Sequence, residues 1–194
     1  MTHSMNARAE IRVEEWCRDA SRAAFVDTDV DMLAEVLHAV VHAGAGVSFF
    51  TPFAIAEARA FWVQKVLPQA RAGACRVVLA RQNERIVGTV QLDLDMPPNQ
   101  QHRGAVAKLL VHPAARRRGI GRTLMIALEE IARAEGRTLL TLDTVSGSNA
   151  EMLYRSLGFI AAGIIPGYAR GALTPELEGT TIMYKELTTP ERES

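Results

Sequence analysis

The chain has little cysteine, no net charge and no long apolar run, and each shortage removes a class of protein. Only two cysteines, Cys17 and Cys75, occur in 194 residues. They form neither a metal-binding spacing nor a disulfide framework, which excludes a small secreted scaffold held by cross-links. Both are read as structural, with Cys75 opening a buried strand. Twenty-two Lys and Arg balance 22 Asp and Glu. That argues against a general nucleic-acid binder, whose domain would carry a basic excess. No run approaches a membrane span, and Met1 to Glu10 lacks the apolar core of a signal peptide. A cytoplasmic protein with no membrane or nucleic-acid partner is expected. With 48% apolar and 23% charged residues, the composition is that of a soluble globular domain long enough for a sizeable core. No repeat or low-complexity tract divides it. Residues 1–9 are expected to be a loose arm, 10–188 the domain and 189–194 a loose tail.

A further shortage is local. From Met96 to Leu128 there is no acidic residue, but there are six Lys and Arg. The centre of this stretch is an apolar strand, Ala105 to Val111, then a loop, Arg116-Arg117-Arg118-Gly119-Ile120-Gly121-Arg122. A helix follows, with Leu124, Leu128, Ile131 and Ala132 on one stripe. Glycine lets backbone approach a ligand closely, and a helix start offers unpaired N–H groups with a partial positive charge. The combination reads as an anion cradle, suited to phosphate. The alternative is a solvated surface turn. The third glycine of a dinucleotide fingerprint is missing, because Leu124 stands in its place, and no Gly-Lys-Ser/Thr of a P-loop follows.

Elsewhere the chain reads as alternating helices and strands. Ile11 to Glu14 suggests a short first strand. Thr28 to Asp31 signals a helix start, with an apolar stripe from Val30 to Val41 ending at Gly44. Thr51-Pro52 signals a second helix, which Pro68 should end. His38 and His42 are spaced i, i+4, but no third ligand stands nearby and no metal is expected. Arg76 to Ala80 and Ile86 to Leu94 should form a hairpin about Gln82-Asn-Glu84, with Gln91, Asp93 and Asp95 on a wet face. Pro97 to Arg103 is a loop by composition, and Thr138 to Asp143 a buried strand. Ser148-Asn-Ala-Glu151 has the capping-box pattern of a short helix closed by Gly158. A strand through Ile164-Ile165, a long loop from Pro166 to Gly179 and a strand through Met183 end the chain. A strand–helix–strand unit from Ala105 implies a parallel crossover, and the hairpins imply antiparallel neighbours. The sheet should therefore be mixed, with helices on its faces.

Arg116-x-x-Gly119-x-Gly121, five residues after a strand valine, resembles the coenzyme-A motif of the GNAT (Gcn5-related) N-acetyltransferase family. Asn149 to Phe159, with Tyr154 in a short helix, is similar to that family's second signature. The two occur in the family's order, and the resemblance covers about residues 10 to 188. It implies an α/β fold: a mixed, mostly antiparallel sheet of about seven strands, splayed into a V between the fourth and fifth, with about four helices. It implies acetyl-CoA as cosubstrate. The backbone of Leu109 and Val111 would pair with pantetheine, while Arg116 to Arg122, with Gly119, Ile120 and Gly121, would wrap the pyrophosphate. Asn149 would complete the cofactor site. Gln91 to Gln100, Lys108 to Pro113 and Leu142 to Val145 also resemble the tabtoxin-resistance type, which acts on small amino-acid-like amines.

Acetyl transfer to an amine needs a neutral nucleophile, a stabilised oxyanion and a protonated thiolate. The resemblance gives Tyr154 the last task, a core tyrosine being the alternative. The central strand has no acid, where many relatives keep a glutamate. Asp143, at the end of the next strand, is the first candidate for the base, with hydrogen bonding to loop amides as its other role. His102 is a second candidate and a water chain a third. The expected function is acetylation of a primary amine on a small amino-acid-like or antibiotic-like molecule, by direct attack in a ternary complex. A protein or peptide N-acetyltransferase and a non-catalytic acetyl-CoA-binding module are the alternatives. A homodimer is left open.

Overall fold

In the computed structural model, residues 10–17 and 26–187 are described; the expected arm at 1–9 and tail at 189–194 lie outside them. Seven strands form one sheet: β1 (Ile11–Glu15), β2 (Cys75–Gln82), β3 (Arg85–Asp93), β4 (Arg103–Val111), β5 (Leu139–Val145), β6 (Ile160–Arg170) and β7 (Leu177–Glu186). Their spatial order is β1-β2-β3-β4-β5-β7-β6. All neighbours are antiparallel except β4 and β5, which run parallel. The helices are α1 (Val26–His42), α2 (Ile55–Phe61), α3 (Leu67–Arg71), α4 (Ile120–Ala134) and α5 (Asn149–Ser156). The mixed sheet expected from the sequence is present, with α2 and α3 joined into one rod.

The sheet separates two cores. On one face α1 and the α2–α3 rod cover Val77, Leu79, Ile86 and Leu110. On the other, α4 covers Val78, Val90, Leu92, Val106, Leu140 and Met183, and Tyr154 and Phe159 join the same core. The α1 stripe accounts for the first layer: Val30, Leu33, Leu37, Val40 and Val41 are each at most 2% exposed. Burying a side chain of this size stabilises by roughly 1.5–3 kcal/mol. The β2–β3 hairpin turns on Asn83 and Glu84, at φ 47° and 63°. Positive φ at both central residues gives the turn a twist that matches the strands.

Three expectations need correction. Thr51-Pro52 does not start a helix: that peptide bond is cis and α2 begins at Ile55 after Ala54. Its first turn is closed instead by Glu57, whose Oε2 accepts the Ala54 N–H at 2.7 Å. Pro68 does not end the rod. A π-helical turn, Trp62–Val66, precedes it, with the Leu67 N–H bonded to the Trp62 carbonyl. The wider turn relieves the clash and the missing N–H that proline brings to an α-helix. The third correction is at the C-terminal end, where β6 and β7 run on to Arg170 and from Leu177, leaving a tip of 171–176 in place of a long loop.

Gln91 also departs from expectation. It is 8% exposed and Thr89 is 0% exposed, because the α1–α2 layer covers the face of β3 on which they lie. Alternation had marked that face as wet.

Candidate active site: a split sheet and an arginine-rich helix start

Parallel pairing of β4 with β5 lasts three residues, Arg103 to Leu139, Gly104 to Leu140 and Ala105 to Thr141. Beyond Ala105 the strands part. The closed end is pinned by Arg103, whose Nη1 donates to Thr141 Oγ1 at 2.9 Å and whose Nη2 donates to Gln100 Oε1 at 2.7 Å. From Val106 to Val111 the β5 side of β4 has no strand beside it among the described residues, so backbone groups there are free to pair with an extended ligand. Leu109 and Val111 lie on this free length.

A bulge shapes the gap. Register with β3 shifts between Thr89 and Gln91, from Thr89–Leu110 to Gln91–Ala107, and Lys108 takes φ 50°. An extra residue reverses the alternation of side chains. Val106 accordingly faces α4, whereas Leu110 faces α1 and α2. Ala107, in the middle of a central strand, is exposed.

At the open end β4 passes through a short turn, Pro113–Ala115, into the arginine loop and α4. Gly119 caps the helix at φ 82°, with no side chain closing the first turn. A Cβ built on Gly119 meets nothing within 4 Å, whereas one on Gly121 would stand 3.1 Å from Leu153 Cδ2. Space above the helix start is therefore open, and Gly121 is small so that α4 and α5 can meet. Arg116, Arg117, Arg118 and Arg122 are all exposed. None pairs with a carboxylate among the described residues; their bonds run to Val111 O, Gln82 Oε1 and Ser156 Oγ. Four free cations over uncapped amides attract an anion.

Tyr154 lies on α5, with its ring in the core that α4 covers. Ser148 Oγ accepts the Glu151 N–H at 3.2 Å to cap this helix. Glu151 completes the box one residue early, accepting the Gly147 N–H at 2.7 Å. That N–H, then Arg155, holds the Glu151 carboxyl below its usual range. Tyr154 is 6% exposed and stacks on Phe159 with centroids 5.7 Å apart. Burial, then the charge of Asp143, pushes its phenol upward. Asp143 is exposed on β5, and its charge acts on both Tyr154 and Lys108. Asn149 is exposed at the first position of α5.

His102 is not brought to this group. It lies exposed at the closed end, its carbonyl accepting the Thr138 and Leu139 N–H groups. Six strand residues, roughly 20 Å at the usual rise, separate it from Lys108. Lys108 itself is what sequence reasoning missed. Its Nζ donates to Ser48 Oγ at 3.1 Å and lies 5.8 Å from the ring centroids of both Phe49 and Phe61. The signal was a lone lysine inside the apolar run Ala105 to Val111.

The α1–α2 connection roofs this face. Thr51 N–H donates to Ala172 O at 3.1 Å, tying the connection to the β6–β7 tip. A Cβ on Gly46 would stand 2.6 Å from Val145 Cγ2, at the end of β5. The same contact fixes why Gly46 carries no side chain.

These features define a class: a mixed α/β sheet split between two parallel strands, with an arginine-rich helix start where the split opens. The family model described as "Acetyltransferase (GNAT) family" matches residues 47–159, more than half of the chain. The chain belongs to that family, whose members use acetyl-CoA. A relative from Azospirillum brasilense, described as "IAA acetyltransferase", is 33% identical over 104 residues, 53% of this chain. The match spans 66% of that relative, just under two thirds of its length. A Salmonella typhimurium protein, assigned as an acetyltransferase and solved with its cofactor acetyl-CoA, superposes with a TM-score of 0.71 at 18% identity, covering 95% of this chain and 98% of its own. The ribosomal-protein-alanine N-acetyltransferase of Brucella melitensis gives 0.69 at 23% identity, covering 92% and 99%. At these identities the two structures establish the fold.

Proposed function

We propose that the protein is an acetyl-CoA-dependent N-acetyltransferase that acts on the primary amine of a small, amino-acid-like molecule by direct attack in a ternary complex. The observation that carries this reading is the parting of β4 from β5 after Ala105, with the free arginines at its mouth. The residues present fit acetyl-CoA. Arg116, Arg117, Arg118 and Arg122, with the amides of Gly119, Ile120 and Gly121, would hold the pyrophosphate. Leu109 and Val111 would pair with pantetheine along the free edge, and Asn149 stands beside that path. Bound there, acetyl-CoA supplies an acetyl group activated as a thioester.

Asp143 accepts the proton of the incoming amine, being an exposed carboxylate on the strand that parts from β4. Tyr154 donates to the departing sulfur. Burial keeps its phenol protonated but also disfavours the phenolate left after transfer. A thiolate formed in the same apolar surroundings is penalised in the same way, so the proton's move exchanges one buried charge for another. His102 has no part, lying at the closed end.

The roofed acceptor face favours a small amine over a peptide, since the Thr51–Ala172 tie closes the face where a chain would have to lie. Purified protein, acetyl-CoA, a panel of small amines and a thiol-trapping reagent provide the test. Acceptor-dependent thiol release is expected. Tight acetyl-CoA binding with no thiol release from any amine or peptide would make the protein a binding module.

A further inference from the structure

The bulge in β4 gathers polar groups that the transfer chemistry described above does not use. Antiparallel residues directly opposite one another share a face, with Cβ atoms about 5 Å apart. Gln91 therefore lies beside Ala107, on the face covered by α1 and α2. Gln91 Nε2 and Thr89 Oγ1 are buried, and neither has a hydrogen-bond partner among the described residues. Unsatisfied polar atoms at such depth are costly and call for a partner. Ala107, next to them, is exposed, so the strand opens here. Lys108 follows, its ammonium held against Phe49 and Phe61 by the bulge.

Charge in this corner is unbalanced. Burial pushes the Lys108 ammonium down; Asp143 partly offsets this, and Lys65 adds to it. Asp143 and Lys65 are thus the charges that act on the Lys108 ammonium, and the carboxylate is the proposed base. An incoming group with one negative charge and two acceptor oxygens would satisfy both the ammonium and the Gln91 amide N–H, leaving Asp143 for the amine. A carboxylate has that charge and geometry.

The geometry points to Lys108 and Gln91 as the acceptor's acid-binding residues: the amine substrate carries a carboxylate that Lys108 pairs with and Gln91 hydrogen-bonds, its body lying along Phe49 and Phe61. This rests on the acetyltransferase reading for the amine, but the acid site can be tested without turnover. The probes are 3-phenylpropanoate and 3-phenylpropanamide, which lack an amine and differ in charge. Each is titrated by calorimetry into the protein saturated with coenzyme A. The carboxylate is expected to bind at least about 10-fold more tightly than the amide, the usual weight of a charge-assisted hydrogen bond. Lys108→Met should abolish that ratio, Lys108→Arg should keep part of it, and Gln91→Leu should lower it several-fold. Coenzyme A affinity and melting temperature serve to check that each variant is folded.

In the acetylation assay, L-phenylalanine should surpass its carboxamide in kcat/KM by a similar factor, and Lys108→Met should remove the preference by lowering only the rate with the acid. Equal binding of the two probes by the parent protein, or a ratio that survives Lys108→Met, overturns the acid site even if amines are acetylated. A ratio that depends on Lys108, with no amine acetylated, leaves the acid site standing and overturns the acetyltransferase reading.

Discussion

Replacing Tyr154 with phenylalanine separates chemistry from packing. The ring is buried, its aromatic neighbour is Phe159, and its hydroxyl bonds to none of the described residues. Phenylalanine preserves the ring contacts and loses no protein hydrogen bond. Removing a hydroxyl that bonds to no described residue and is not among the buried atoms left without a partner is close to neutral, within about 1 kcal/mol. At roughly 2–4 °C per kcal/mol for a chain of this size, the melting temperature should hold to within a few degrees. The rate should fall. General-acid assistance is worth ~10²–10⁴, or roughly 3–5 kcal/mol at the barrier. A single-turnover assay with acetyl-CoA prebound and thiol trapped measures the chemical step directly. Alkaline unfolding gives an independent readout. A phenol raised in the fold keeps its stabilising effect below its unfolded value of about 10 and loses it as pH climbs towards the folded one. The parent should therefore weaken above pH 10 more than the variant does. Thiol release by Tyr154→Phe at the parent rate, with chemistry limiting, would refute the acid role and make Tyr154 a packing residue.

Other expectations follow from the same geometry. Asp143→Asn should cut kcat by about 10²-fold with little change in acetyl-CoA affinity, and the parent rate should rise with pH until the amine or its base is deprotonated; an unchanged profile would pass the base role to water. Gly119→Val should weaken acetyl-CoA binding about 10-fold or more by calorimetry, because its side chain would fill the open space over the cradle and a β-branched residue is strained at φ 82°. Parent affinity should also fall as salt rises. Glu151→Gln should destabilise the protein at pH 7 but hardly at pH 3 in urea melts. The depressed Glu151 carboxyl stabilises fully above its unfolded value of about 4.3 and loses that effect as pH falls through the folded one. A constant gap at both pH values would dissociate Glu151 from acid sensitivity.

How much the sequence disclosed depended on whether the signal was local. The arginine-rich helix start was legible because glycines, arginines and an amphipathic helix follow one another over a dozen residues. The β2–β3 hairpin and the Ser148 cap were legible for the same reason. The α2 start was misplaced because Thr51-Pro52 carries a helix-start pattern, whereas the helix begins at Ile55 with Glu57 closing its first turn on the Ala54 N–H. Pro68 misled because the π-helical turn that accommodates it has no composition of its own. Gln91 and Lys108 were hidden for a different reason. Their surroundings come from β3, β4 and the α1–α2 layer together, and no window of sequence contains all three. The placement of His102 far from Tyr154 and Asp143 likewise depends on which end of a strand pair is closed, a fact of topology.

The bulge at Lys108 acts as a phase shift in the strand. Before it, even-numbered residues Gly104 and Val106 point towards α4; after it, odd-numbered Leu109 and Val111 do. A substitution anywhere in β4 alters one contact. Deleting the extra residue, Lys108, would restore plain alternation and leave Val106, Leu109, Leu110 and Val111 on the faces they hold now, whereas a deletion elsewhere in the strand would turn one side of the cut to the opposite face. A deletion outside the bulge would drive Val106 or Leu110 out of its core, while loss of Lys108 keeps Leu110 opposite Thr89 and removes only the bulge and the ammonium. The strand should therefore tolerate many replacements but only one change in length, and a deletion scan across Arg103–Val111 would show its smallest loss of folded protein at positions 107 to 109.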